Sequence, residues 1–383
     1  MTSPKHAMRH LFTGLAAAAL LGVTATASAE VGITSTTIRI GMSNALTGPA
    51  AGLGTELKAG SEAYISRINA AGGVHGRKIV FVSKDDGYEP ARAAAATRAL
   101  VGQDNVFALF DYVGTPTSAA AVPLASKAGV PYLFPFTGAE FLRYPVNKLV
   151  FNIRASYFDE TEAMVDHLIK DAGAKKIAIF IQNDAFGAAG KAGVARALFK
   201  RGMKIAAEAR FKRNTLDVEA GLAKIKAANP DGVIFIGTYA PFAKIVRLAK
   251  AEGITAKFMT VSFIGTSDFI RKAGAAGDGV YITQVVPSPD SSTPLVARFM
   301  RDIKGGPVSY TSLEGYVDAE VLVKALKNAG AEPTRASLLK ALNGLNMDLG
   351  GMHVGFSPKN HQGSSKVFLT VVREGKAVPI DRL

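Results

Sequence analysis

From Thr36 onward the chain alternates between short apolar runs of strand character and longer runs of helical character, joined by only a few residues. "TTIRIGMSNAL" reads as a strand, and "GTELKAGSEAYISRINAAGG" as a helix closed by Gly72 and Gly73. "KIVFVSKDD", "VFALFDYV" and "PYLFPF" read as further strands, with "EPARAAAATRALVGQ" and "TSAAAVPLASKAG" as the helices between them. Such alternation leaves few solutions. Parallel neighbours need a crossover, and helical crossovers cover both faces of the sheet. The fold class is therefore α/β, built on parallel Rossmann-like sheets.

A second round begins after "LVFNIRAS". It runs through helix "DETEAMVDHLIKDAG", strand "KKIAIFIQ", helix "GKAGVARALFKRG", strand "KIAAEARF", helix "DVEAGLAKIKAANP", strand "DGVIFIGT", helix "PFAKIVRLAKAEG" and strand "AKFMTVSF", ending with "GVYITQVV". The first round carries Asn44 and then "GPAAG" after its opening strand, and the second carries Asn183 and then "FGAAG". With the matching order of elements, this predicts two lobes of like fold. The remaining chain supplies two helices, "SLEGYVDAEVLVKALKNAG" and "TRASLLKALNGL", and ends in the hairpin-like "HVGFSPKNHQGSSKVFLTVVREGKAVPI". Having no parallel sheet of their own, these must pack back onto the lobes.

The first residues read differently. Lys5 and Arg9 make a basic start, "LFTGLAAAALLGVTA" an apolar centre, and "ASA" at Ala27 to Ala29 a small-residue cleavage site. Residues 1–29 are expected to be a cleaved signal peptide that delivers a mature chain, starting at Glu30, to the periplasm. The sequence has no cysteine, so neither a lipid anchor nor disulfides are expected. Removing Lys5 and Arg9 takes the formal charge from +14 to +12. The lysines are spread over many helices, and the densest patch, "RGMKIAAEARFKR", alternates with alanine rather than with stacking aromatics. That pattern reads as a solvated basic surface, with no nucleic-acid partner.

Catalytic constellations are missing. There is no G-x-S-x-G elbow and no cysteine nucleophile, and His75, His167, His353 and His361 lack metal-ligand spacing. Asp85 and Asp86 in "DDGYEP" read as turn and cap chemistry. The glycines of "TGPAAGLGTE" do not fit a dinucleotide loop, with Leu57 where a third glycine belongs. No metal or other cofactor is implied, and the chain reads as no enzyme.

What remains is "VGTPTSAAA". In open parallel sheets ligands bind beyond the carboxyl ends of the strands, where helix starts present unpaired N–H groups. Gly114 lets the backbone approach a ligand, and Thr115, Thr117 and Ser118 either cap the helix or offer hydroxyls to a bound group. "FPFTGAE" repeats the device with Thr137 and Gly138. Taken singly each is a turn or a cap; in succession at one sheet edge they suggest a cradle for a small anion or carboxylate.

These stretches carry a likeness over nearly the whole mature chain. "IRIGMSNALTGPAAGLGTELKAGSEAYISRINAAGGVHGRKIVFVSKDDGYEPARA", "VGTPTSAAAVPLASKAGVPYLFPFTGAEFL", "FNIRAS", "IAIFIQNDAFGAAGKAGVARALFKRG" and "KFMTVSFIG" together resemble the substrate-binding proteins of ABC transporters in the branched-chain amino acid (leucine/isoleucine/valine-binding) family. The resemblance implies a periplasmic binding protein type I fold. Its lobes would be residues 30–152 with 285–350, and residues 153–284 with 351–383, joined by three hinge crossings near Phe151–Ala155, Tyr281–Val286 and Gly350–Gly355. It also implies closure of the lobes on a small ligand and docking of a monomeric closed form on a membrane permease.

Carried over from the family, the ligand carboxylate would be held by Thr115 with Gly114 and by Thr137 with Gly138. Phe186 in "NDAFG" would cover the ligand, and Thr238 with Tyr239 would meet it from "IGTYAP". The family places a glutamate for the ligand ammonium in the stretch "KFMTVSFIG", and here Ser262 stands in that place. A hydroxyl cannot supply the charge a buried ammonium needs, unless Asp111, Asp184 or Glu314 does so by another route. With Phe136, Tyr157 and Phe263, and with Tyr112, the candidates are rich in aromatics. A small organic acid or amide is therefore expected ahead of leucine. The same lobes could instead serve as the soluble input of a membrane receptor such as a histidine kinase. A transcriptional regulator would need a helix-turn-helix where the signal stands.

Overall fold

The computed structural model describes residues 30–383, and the expected signal peptide, residues 1–29, lies outside them. The first round folds as β1 (Thr37–Asn44), α1 (Ala51–Ala70), β2 (Lys78–Asp85), α2 (Pro90–Gly102), β3 (Ala108–Phe110), α3 (Thr115–Lys127), β4 (Tyr132–Leu133) and β5 (Val150–Phe151). The strands are all parallel, in the order β2-β1-β3-β4-β5. Strand order reverses between β1 and β3, so the crevice beyond their carboxyl ends is where such a sheet binds ligands. "PYLFPF" pairs as a strand over Tyr132–Leu133 alone. Phe134 turns out of the sheet at φ 54°, and Phe136 rejoins Val113 through a single bridge.

The second round comprises α4 (Tyr157–Lys170), β6 (Ile177–Gln182), α5 (Ala185–Phe199), β7 (Glu208–Phe211), α6 (Glu219–Ala228), β8 (Gly232–Ile236), α7 (Tyr239–Ala251), β9 (Lys257–Thr260), α8 (Thr266–Ala273) and β10 (Tyr281–Gln284). Helices α4 and α5 begin earlier than their apolar periodicity indicates, because caps set their starts. Ser156 and Asp159 form a reciprocal capping box on α4, and the Asp184 carboxylate accepts from the Phe186 and Gly187 N–H groups on α5.

The remaining chain holds three helices rather than two: α9 (Pro294–Ile303), α10 (Tyr310–Asn328) and α11 (Arg335–Asn343). The unforeseen α9 is capped by Thr293, with Pro294 in its first turn. A ribbon of β11 (Asn346–Asp348) and β12 (His353–Gly355) follows, then β13 (Phe368–Arg373) and β14 (Lys376–Ile380). The second sheet has the order β14-β13-β10-β9-β8-β6-β7. Its parallel part, β7-β6-β8-β9-β10, repeats the order of the first sheet, as the internal likeness predicted. Strands β13 and β14 extend it antiparallel.

Two cores result. Ile38, Ile40 and Phe110 of the first sheet pack with Leu295, Phe299, Leu313, Tyr316 and Leu338 of α9 to α11. Ile179, Val233, Phe235 and Met259 of the second sheet pack with Val165, Leu198, Val246 and Phe269. Each such side chain contributes about 1.5–3 kcal/mol on burial. Met352, Val354 and Phe356, expected in lobe 2, lie in the first core. The chain runs beside the first crossing further on: the Gly363 and Ser364 N–H groups donate to the Asn152 and Ile153 carbonyls at 2.7 and 2.9 Å. His361 stacks on Phe151 there, with ring centroids 3.8 Å apart.

Candidate functional site

The turn from β3 into α3 depends on Gly114. Its φ of 106° and ψ of 154° fall where only glycine is at ease, and a Cβ would come within 2.3 Å of the Tyr88 ring. That turn leaves the start of α3 without a side-chain cap. Thr115, in the first turn, is buried, and its Oγ1 lies 2.6 Å from Thr137 Oγ1. The Thr137 hydroxyl reaches Tyr157 Oη at 3.3 Å and accepts the Ala139 N–H at 3.3 Å. Gly138 is pressed against Tyr157, whose N–H donates to the Gly138 carbonyl at 2.7 Å. Three buried hydroxyls, from Thr115, Thr137 and Tyr157, thus converge at the expected cradle. Thr117 and Ser118 do not join them. Thr117 Oγ1 donates to the Gly114 carbonyl at 2.9 Å, and Ser118 Oγ accepts from Tyr132 Oη at 2.9 Å.

Facing the hydroxyls is a wall of rings. Phe263, in the short 3₁₀ turn Ser262–Ile264, lies 4.6 Å from Phe186, 5.3 Å from Phe136 and 6.0 Å from Tyr88, centroid to centroid. Tyr157 lies 5.3 Å from Phe186. The rings come from both lobes, and all are buried. Tyr88 was read as part of a turn; φ of 63° swings its ring over Gly114, and its hydroxyl accepts from Gln182 Nε2 at 3.3 Å. Tyr112 is absent from the wall. It packs on Tyr132 and bonds to Thr97.

Tyr239 serves differently from expectation. Its hydroxyl accepts the Gly52 N–H at 3.2 Å, tying the start of α7 to the start of α1. Thr238 precedes it as N-cap, making no side-chain capping bond. At the rim, Arg213 and Asn214 reach the Glu89 carboxylate at 2.7 and 2.6 Å. The lobes are therefore together, latched across the cleft.

The charges around Ser262 form the part of the site that sequence reasoning missed. Ser262 N–H and Oγ donate to Glu160 at 2.7 and 3.0 Å, and Thr283 Oγ1 donates to the same carboxylate at 2.6 Å. Burial pushes the Glu160 carboxyl up, against the pull of Arg154. Arg154, 1% exposed, donates through Nη2 to Ser262 Oγ, and its Nε lies 3.2 Å from Glu314 Oε1. Its guanidinium carbon sits 4.4 Å above the Phe136 ring. Burial would lower the Arg154 pKa, but Glu314 and Glu160 outweigh it and hold the guanidinium charged. Glu314 is pushed up to about 7 by burial, with Arg154 opposing.

Each of the three acids named for an ammonium already has a partner in the protein. Asp184 caps α5 and takes Gln182 Nε2 at 2.6 Å. Asp111 takes Ser61 Oγ at 2.5 Å, and burial raises its carboxyl and that of Asp318 well above the usual range. Glu314 is held by Arg154. Among the described residues no cluster of His, Cys, Asp and Glu could hold a metal, and no helix is long and apolar enough to cross a membrane. A groove of about 710 Å³ lined by Met352, His353, Ser364 and Phe368 follows the last part of the chain and shares no residue with the cleft.

A family model described as periplasmic binding protein matches residues 37–377. The chain is 29% identical over 347 residues to an amino acid binding protein of Pseudomonas aeruginosa, covering 87% of this chain and 88% of that one. It superposes on a possible leucine/isoleucine/valine-binding protein from Rhodopirellula baltica SH 1 with a TM-score of 0.86 and 35% identity, over 92% of this chain and 98% of that one. A substrate-binding periplasmic protein from Ralstonia solanacearum gives 0.84 and 31%, over 90% and 100%.

Proposed function

Because the chain belongs to the periplasmic binding protein family, in its branched-chain amino acid branch, we propose that it is the periplasmic solute-binding component of an ABC importer. It captures a small organic acid, amide or amino-acid-like solute between its lobes and presents the closed form, as a monomer, to a membrane permease. Residues 1–29 are its export signal. The lobes divide the chain at residues 152 and 285, with the third crossing beside Asn152 at Gln362–Ser364 rather than near residue 351. Gly114, Thr115, Thr137 and Gly138 hold the ligand's acceptor group, and Phe136, Tyr157, Phe186 and Phe263 enclose its body.

The observation that carries this reading is the meeting of three hydroxyls at an uncapped helix start with a ring wall drawn from both lobes. Such a site can hold and release. It contains no nucleophile–base pair to break a bond. The latch at the rim supports closure by hinge rotation.

The test uses the mature chain, residues 30–383, in a thermal-shift screen of organic acids, amides and amino acids, followed by calorimetry and small-angle scattering. A hit compacts the protein and is recovered unchanged. Thr115→Ala weakens it by about 1–3 kcal/mol, through loss of a charge-assisted hydrogen bond. Chemical conversion of the hit, or binding without compaction, refutes the proposal; unchanged affinity in Thr115→Ala refutes the cradle.

A further inference from the structure

The buried cations behind the cleft differ in how fully they are met. Arg143 spends its donors on the Thr137, Ala139 and Arg154 carbonyls and on Gln362 Oε1, at 2.9 to 3.4 Å. Arg154 is different. Nη2 meets Ser262, Nε lies 3.2 Å from Glu314 Oε1, and neither Nε nor Nη1 has a hydrogen-bond partner among the described residues. A guanidinium is a planar fork whose N–H groups suit a carboxylate, and one left unmatched inside a protein is strongly unfavourable.

The position of this fork matters as much as its incompleteness. It lies on the face of Phe136, the residue before the Thr137 hydroxyl, and touches Ser262 beside Phe263 from the other lobe. Arg154 and Ser262 share a lobe, so the contact with Phe136 is the one that crosses between lobes. The neighbouring carboxylates are committed. Glu160 has three protein donors, Asp184 caps a helix, and Asp111 takes the Ser61 hydroxyl. An ammonium placed here would meet the Arg154 cation, with the Glu160 and Asp184 carboxylates already taken by protein donors.

Resting on the solute-binding reading above, we infer that Arg154 receives an acid group of the ligand through Nη1, and that the cognate class is a carboxylic acid with an apolar body and no α-ammonium. The rings of Phe136, Phe186, Phe263 and Tyr88 pack that body. Arg154 thereby sets specificity, favouring acids over their neutral amides and over plain amino acids.

The test is calorimetry on residues 30–383 with matched probes: benzoate and hexanoate, benzamide and hexanamide, phenylalanine and norleucine. At least one acid binds at least 30-fold more tightly than both its amide and its amino acid counterpart. In Arg154→Met that preference collapses to within threefold, and Arg154→Lys restores part of it, keeping the charge without the fork. Comparing acid with amide on the unaltered protein needs no variant, so a misfolded Arg154→Met leaves the inference exposed. If amides or amino acids bind as tightly as the acids, Arg154 is not the selector and the binding-protein reading stands. If other solutes compact the protein but none of these acids binds, the proposed class is wrong. If nothing compacts it, both readings fall.

Discussion

Replacing Phe263 with alanine separates a side chain that lines a closing cleft from one that holds a lobe together. Phe263 is fully buried, and two of its three ring neighbours, Phe136 and Tyr88, belong to the other lobe. Those two contacts exist only when the lobes meet. Each aromatic pair is worth about 0.5–1.5 kcal/mol beyond area burial, and the uncovered part of the ring adds roughly 1 kcal/mol. Closure therefore loses on the order of 3 kcal/mol, which is about a hundredfold in affinity. A Phe→Ala change in a permanent core instead costs about 3–5 kcal/mol of folding stability. For a chain of this length that lowers the melting temperature by roughly 4–7 °C. The assay is paired: melting without ligand, and calorimetry with the best hit from the screen. Melting within about 2 °C of the unaltered protein, with a large loss of affinity, is the expected result. A melting temperature lowered by about 4 °C or more with affinity unchanged would refute the reasoning, because Phe263 would then be lobe core.

Two further predictions follow from the same geometry. Glu314 faces Arg154 and Arg143 as cations and Glu160, Asp318 and Asp111 as acids, and its carboxyl rises from an ordinary 4.5 to about 7. The folded state thus binds this proton more tightly than the unfolded chain, so its stabilising effect is complete below about 4.5 and is lost as pH climbs through about 7. Glu314→Gln should flatten that part of the stability–pH curve, by at most about 3 kcal/mol, in denaturant titrations at pH 5 and pH 8; identical curves would contradict it. Gly114→Ala should cost about 1–3 kcal/mol and cripple binding, since the new methyl strikes Tyr88 at a φ of 106°. The control, Gly129→Ala, has φ 65° with nothing within 4 Å and should cost about 1 kcal/mol without touching affinity. Equal effects from both would remove the argument for Tyr88.

The layers of the fold were legible because strand–helix alternation is a local pattern with few global solutions. The repeated strand order showed through two short motifs, Asn44 before "GPAAG" and Asn183 before "FGAAG". Helix α9 was overlooked although Thr293 and Pro294 announce its start, because its ten residues, Pro294–Ile303, sit in a stretch without a neighbouring strand. At the site, Thr115 and Thr137 were readable, since hydroxyls at helix starts beyond a sheet edge have a limited set of uses. Tyr88 was not. Its role depends on a left-handed backbone at one residue, and "DDGYEP" reads equally well as a plain turn. Arg154 left a fainter signal, a single cation in the apolar run "LVFNIRAS". Charge in such a run usually marks a surface, and what it faces is settled by residues more than a hundred positions away, Ser262 and Glu314.

The bond between the Thr115 and Thr137 hydroxyls, 2.6 Å long and out of reach of water, has a consequence for what is admitted. Each alcohol already has a companion of its own kind, so a newcomer must offer both of them something stronger than they give each other. On the proposed ligand role of this pair, solutes with feeble oxygen acceptors would be disfavoured on these grounds, and an ionised oxygen favoured.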